Sequence, residues 1–308
     1  MRSLGLSIRS ANRAAVLLTA VSSCWAALFV LCATPSLSAV EKIKEPTELV
    51  MVVMDPLAKP LSCPCVAGYA QRDYQRLADA LTEELGLPVK VHFKESLTGA
   101  LQNDTRGRAD LVIGKHSVVL YDSKRSKLDV TPVARLTGKQ GGTTMTGLVI
   151  VPSSDSAKSL ADVSGYRLVF GPEECDEKNA AAVKLFQANK VALPDELETA
   201  VACDEGAILI LDDAKQGKHG VAVISSYAKP LLEGCGTVEK GSLRVIGETE
   251  PVPFIEAFVT EQLTGPLRQR LAAALVSVSA SPELRIALET QDGFIAMEDP
   301  RAIVKKKN

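Results

Sequence analysis

The sequence predicts an α/β protein whose two lobes flank a central cleft. Two series of alternating strand and helix signals predict it, one over residues 48–114 and one over 148–224. The glycine-bearing segment Thr137–Gly142 separates them, and two helix signals close the chain. The expected division is a leader at 1–39, a discontinuous first lobe at 40–140 and 240–308, and a second lobe at 141–239.

In the first series, Glu48–Met54 (ELVMVVM) is an uninterrupted apolar run of strand length, as a buried strand requires. Pro56, Pro60, Pro64 and Gly68 make residues 55–68 a loop. A helix follows over Asp73–Leu85. Asp73 can cap it, Tyr74, Leu77, Leu81 and Leu85 share one face, and Gly86 ends it. Val89–Phe93 reads as a strand, Leu97–Thr105 as a helix, and Leu111–Ile113 as a short strand ending at Gly114. The rhythm is that of a parallel sheet with crossover helices.

The second series opens with the strand Leu148–Pro152 and a short helix at Ser159–Asp162. Arg167–Gly171 is a strand, Pro172–Lys178 an acidic loop, and 179–188 a helix. Glu196–Ala202, Ala207–Gln216 and Val221–Ile224 continue the alternation, and Leu243–Ile246 is read as a return to the first lobe. Gly265–Val278, with Leu267, Leu271 and Leu275 four apart, and Pro282–Thr290 are the closing helices.

Residues 1–39 place Arg2, Arg9 and Arg13 before an apolar segment that ends near Ser36, Ser38 and Ala39, the order of an export signal. Cleavage would start the mature chain near Val40. Two other readings stay open: Ala14–Ala33 is long enough to span a bilayer, and Cys32 suggests a lipid anchor, although Leu31 stands where a small residue is needed. Each leaves the folded part outside the cytoplasm. The net charge of −2 becomes more negative without the three leader arginines, which gives no reason to expect a nucleic-acid partner. The lone Trp25 lies in the leader and aromatic residues make up 4% of the chain, so the stacking platforms of a sugar cleft are scarce.

Beyond the leader stand Cys63, Cys65, Cys175, Cys203 and Cys235. Export permits disulfides, Cys175–Cys203 among the candidates, and an odd count leaves a thiol over. Cys63-Pro64-Cys65 is a CxC motif that would strain a direct disulfide, but it suits a soft metal such as copper(I), with Met51 or Met54 as weak ligands. A soluble metal-handling or redox protein is therefore the alternative function. No cofactor is expected. The chain also reads as non-enzymatic. It has no GxSxG turn, HExxH helix or Walker loop, and His92, His116 and His219 define no triad.

Five stretches, taken in order, resemble the periplasmic phosphate/phosphonate substrate-binding family of ABC transporters, a type II periplasmic-binding-protein fold. They are LADALTEELGLPVKVHF (77–93), GRADLVIGKHSVV (107–119), SAKSLADVSGYRLVFGPEE (156–174), GKHGVAVISSY (217–227) and the span from LRQRLAAAL to DGFI (267–295). The resemblance implies two hinge crossings, near 137–145 and 236–247, and a closed state favoured by ligand. It also implies a monomer that serves membrane transporter subunits by binding a small polar ligand, with phosphate, phosphonate or another oxyanion among the candidates.

Candidate ligand contacts follow from both lines. Lys115, His116 and Ser117 lie at a sheet edge beyond Gly114, where binding groups gather; a polar loop with a hydrogen-bonded histidine explains them as well. Tyr69 lies where the family has an aromatic contact. Thr143 and Thr144 follow Gly141 and Gly142 at the first crossing, and Tyr227 follows the Val221–Ile224 strand. At the family's Ser/Thr-rich oxyanion turn this chain carries Glu173, Glu174, Cys175, Asp176 and Glu177, of which Glu174 and Cys175 are the candidates. Such a run repels phosphate unless its acids point outward; its carboxylates could instead receive a cationic ligand or a metal, and it also reads as a solvated helix start stabilised by the dipole.

Overall fold

The computed structural model describes residues 46–63, 66–67, 70–263 and 265–297. The leader, Pro64, Cys65, Gly68 and Tyr69 lie outside them. Thus the export-signal reading, half of the CxC motif and one candidate contact fall beyond the described residues.

The chain begins β1 (Leu49–Met54), α1 (Tyr74–Leu85), β2 (Val89–Phe93), α2 (Leu97–Asn103), β3 (Leu111–Lys115), α3 (His116–Ser126) and β4 (Val130–Leu136). It continues β5 (Thr144–Met145), β6 (Gly147–Pro152), β7 (Arg167–Phe170), α4 (Ala180–Ala188), β8 (Glu198–Thr199), α5 (Glu205–Lys215), β9 (Gly220–Ser225) and α6 (Ala228–Gly234). It ends β10 (Leu243–Glu248), β11 (Val252–Pro253), β12 (Ile255–Thr260), α7 (Gly265–Ser279), α8 (Pro282–Ala287) and β13 (Phe294–Ala296).

A six-stranded sheet has the order β13-β4-β12-β3-β1-β2, and a five-stranded sheet the order β10-β6-β9-β7-β8. Strands β2 and β3 run parallel to β1, as the alternation predicts. The prediction misses α3, β4, β12 and β13. Strand β12 is antiparallel to both β3 and β4 and closes the middle of the first sheet. Leu243–Ile246 needs a correction too. It does not rejoin the first sheet but pairs antiparallel with β6 at the edge of the second. The passage back comes later, where β11 pairs with β5 in a two-stranded ribbon.

The apolar run of β1 is explained by burial on both faces. Leu49, Met51 and Val53 pack with α1 and α7, whereas Val50, Val52 and Met54 pack with Leu97, Val119 and Phe258. Met51 and Met54 therefore point to opposite sides of one strand and cannot converge on a single ion. In α1 the predicted face is the buried one, with Tyr74, Leu77, Leu81 and Leu85 turned inward. Asp73 accepts the Arg76 amide, and Gly86 ends the helix at φ 66°, a left-handed conformation that favours glycine. In the second sheet, Val149, Val151, Val221 and Val223 meet Phe186 on one face. On the other, Ile150, Ala222 and Ile224 meet Ala207 and Ile210.

Candidate functional site

The sheets meet at the end of β3. Lys115 is the last residue of that strand and only 6% exposed. Its ammonium donates to Glu177 Oε1 at 2.6 Å and reaches Cys175 Sγ at 3.4 Å. Ser225, at the end of β9, donates to the same Glu177 oxygen at 2.6 Å. Ser117, in the first turn of α3, donates to the Glu174 carbonyl at 2.7 Å and accepts the Asp176 amide at 3.3 Å. A strand end and a helix start of the first sheet thus clasp the 172–179 turn of the second.

Local sequence puts the turn there. Gly171 and Lys178 bridge its base, with the Gly171 amide donating to the Lys178 carbonyl at 3.0 Å. The Asn179 amide group returns to the Gly171 carbonyl at 2.8 Å. A Cβ on Gly171 would collide with the Lys178 side chain, and one on Gly147 with the Glu177 carbonyl. Two glycines therefore let the backbone pack closely enough to turn Glu177 inward.

Electrostatics follow from burial and pairing. Burial alone would raise the Glu177 carboxyl, but Lys115 and the hydrogen bonds from Lys115 and Ser225 bring it below its ordinary value. Burial would lower the Lys115 ammonium, yet Glu177, with Tyr227 and Cys175, raises it above its ordinary value. The Cys175 thiol is pushed up by burial against the opposing pull of Lys115. Among the described residues, the second oxygen, Glu177 Oε2, is buried without a hydrogen-bond partner.

Aromatic packing extends the contact. Tyr227 stacks on Phe254, which precedes β12, with centroids 5.3 Å apart and planes 20° from parallel. The Arg72 guanidinium lies 5.4 Å from the Phe254 centroid. Arg72 is held by Asp55 at 2.7 Å, and Tyr74 donates to the same carboxylate at 2.5 Å. Burial pushes the Tyr227 hydroxyl pKa up.

Among the sequence candidates, Lys115, Ser117, Glu174 and Cys175 come together here, and Tyr227 packs at the same junction of the sheets. Glu174 contributes its carbonyl; the carboxylate that enters is that of Glu177. His116 is engaged within the first sheet, where its Nδ1 meets Glu256 Oε2 at 2.5 Å and Arg135 donates to the other Glu256 oxygen at 2.6 Å. Thr143 gives its carbonyl to the Phe254 amide at 3.0 Å, and Thr144 pairs with Pro253 in the ribbon, its side chain exposed. Sequence reasoning missed Ser225 and Phe254 as partners, since neither belongs to a recognisable motif.

The cysteine expectation is corrected as well. Cys175 and Cys203 are free thiols, because Cys175 is buried beside Lys115 while Cys203 is exposed. Cys63 is an exposed thiol, and among the described residues no group of three or more His, Cys, Asp or Glu is placed to hold a metal ion. No described helix is long and apolar enough to cross a membrane.

Comparison with solved structures gives the same fold. The binding component of an ABC phosphonate transporter from Pseudomonas aeruginosa matches with a TM-score of 0.61 at 14% identity, over 86% of this chain and 85% of that one. PhnD1 of Prochlorococcus marinus, in complex with methylphosphonate, matches at 0.62 and 11% identity, over 85% of this chain and 97% of that one. XAC2383 of Xanthomonas citri, bound to ATP, matches at 0.61 and 16% identity, over 85% and 95%. No curated protein matches the sequence. The family model for ABC-transporter periplasmic phosphonate substrate-binding proteins matches residues 68–301. With the two-sheet fold and the clasped turn, that match makes the chain a member of the periplasmic phosphonate substrate-binding protein family of ABC transporters.

Proposed function

We propose that the protein is the extracytoplasmic receptor of an ABC importer, closing on a small oxyanion-bearing ligand between the Lys115–Ser117 corner and the 172–179 turn. The observation that carries this reading is the convergence of the Lys115 ammonium and the Ser225 hydroxyl on one carboxylate oxygen at the junction of the sheets. Charged and neutral donors aimed at one point in a buried setting suit an oxyanion. Cys175 and Tyr227 would line the position, and Thr143, Thr144 and His116 are assigned to its approaches; Tyr69, outside the described residues, stays a candidate contact through the family resemblance alone. The proposed hinge is the β5–β11 ribbon, which puts residues 240–250 in the second lobe and returns the chain to the first from Phe254. In this reading the protein begins near Val40, acts as a monomer toward membrane subunits, and holds its ligand without transforming it. The Cys63/Cys65 metal or redox alternative draws no support from the comparisons.

Calorimetry with methylphosphonate, phosphate, phosphite, carboxylates, amines and copper ions tests the reading. One anion should bind near stoichiometry, and Lys115→Ala should weaken it by about tenfold to a hundredfold, the worth of a hydrogen bond to a charged group. Selective binding of an amine, or of copper lost on replacing Cys63 and Cys65, would overturn it.

A further inference from the structure

We infer that Glu177 is a tethered occupant of the oxyanion position: its carboxylate draws the two sheets together without ligand, and an external anion enters by displacing it. The inference rests on the receptor reading above and adds what governs access to that site.

Four observations carry it. First, Glu177 belongs to the turn after β7, whereas its cationic partner Lys115 ends β3 of the other sheet, 62 residues away in sequence. The contact is therefore one that separation of the sheets must break. Second, the carboxylate takes donors from both sheets, Lys115 from the first and Ser225 from the second, as a bridging ligand would. Third, the satisfaction is one-sided. Oε1 collects both side-chain donors, while Oε2 is buried with no side-chain donor among the described residues. A side chain selected only to neutralise Lys115 gains nothing from an unpaired buried oxygen. Fourth, the tether is short and fixed, because the Glu177 carbonyl packs against Gly147 where any Cβ would collide. The backbone holds its place and the side chain alone is left to move.

Charge makes occupancy exclusive. Lys115 offers a single ammonium to the position, and Glu177 already neutralises it. A phosphonate placed beside an ionised Glu177 would meet like charge in a buried setting. With Glu177 swung out, the ligand inherits Lys115 and Ser225. Neighbouring Glu173 is exposed and bound by the Tyr121 hydroxyl at 3.3 Å, so an outward acid in this turn has precedent within the chain.

The test compares wild type with Glu177→Gln by small-angle scattering without ligand and by calorimetry with methylphosphonate and inorganic phosphate. Ligand-free wild type should be as compact as its anion-bound form. Ligand-free Glu177→Gln should be larger, should contract on adding methylphosphonate, and should bind it about tenfold or more tighter than wild type. If Glu177→Gln does not fold, Glu177→Asp, which keeps the charge but shortens the tether, should give a smaller shift in the same direction. A Glu177→Gln protein as compact as wild type, or one that binds anion more weakly, overturns the inference while the receptor reading stands. A variant that opens while neither protein binds any anion removes the oxyanion receptor reading and, with it, displacement by an external anion, leaving Glu177 only a bridge between the sheets.

Discussion

Lys115 and Glu177 form an ion pair at 2.6 Å in which the two side chains are 8% and 1% exposed, the lysine ending a strand of the first sheet and the glutamate lying in the turn that follows a strand of the second. Neither residue can be desolvated alone at low cost, so the junction of the sheets depends on both being present.

Removing one partner should accordingly cost more than removing two. Lys115→Ala leaves a buried carboxylate uncompensated and should lower stability by about 3–5 kcal/mol. Lys115→Met combined with Glu177→Leu should recover most of that loss. Urea denaturation of wild type, Lys115→Met, Glu177→Leu and the double variant gives the coupling directly; strictly additive losses would count against the pair.

The pH dependence has two limbs. Glu177 is held below its ordinary value, so the stability it contributes is present above about pH 4.3, the unfolded-chain value, and is lost as pH falls through the lower folded-state value. Lys115 is held above its ordinary value, so its contribution is complete below about pH 10.4 and is lost as pH rises through the higher folded-state value. Between the limbs the pair should contribute a plateau. The melting-temperature difference between wild type and the Lys115→Met/Glu177→Leu protein should therefore be flat at neutral pH and change at both extremes. A difference that varies across pH 6–8 would contradict this.

Gly147 has a single tolerable side chain, a hydrogen. Gly147→Ala pushes a methyl into the Glu177 carbonyl and should destabilise by about 1–3 kcal/mol or more. Its scattering profile should shift toward the ligand-free Glu177→Gln form, because the turn that carries the carboxylate is displaced. A stability within experimental error of wild type would show that the ribbon and turn relax more freely than their packing implies.

Thiol reactivity should rank by burial. Cys63 is exposed, whereas Cys175 is buried and its thiol is pushed up by burial. Brief alkylation followed by peptide mass spectrometry should label Cys63 well before Cys175. Opening the junction with Glu177→Gln should raise labelling of Cys175 selectively. Equal rates in wild type would contradict the buried position beside Lys115.

Elements with local signals were legible in the sequence. Asp73, Gly86 and the Tyr74–Leu85 stripe mark α1 at both ends and along its face, and the run in β1 declares burial on both sides. Strand β12 was not legible, because Glu256 interrupts its apolar pattern. That carboxylate is fully buried and is tolerated only through His116 and Arg135, 140 and 121 residues away. Helix α3 was hidden because its first turn carries no capping side chain and its face is mixed. At the site, composition identified an acidic turn facing a lysine. It did not say which acid turns inward, since that is decided by the fit of the turn against Gly147. Leu243–Ile246 was recognised as a strand but assigned to the wrong sheet, because an apolar run specifies an element and not its neighbour.

The β5–β11 ribbon bears on how the molecule can move. The two passages of chain between the sheets are bonded to each other, through Met145 with Val252, Thr144 with Pro253, and the Thr143 carbonyl with the Phe254 amide. Passages joined in this way cannot lengthen or slip independently. They resist sliding and yield to bending and twist, like a strap hinge folded from one strip of metal. In the proposed receptor, opening would then be confined to something close to a single rotation, and any contact placed far from that axis, as a long lever, would sense a small change of angle as a large change of distance.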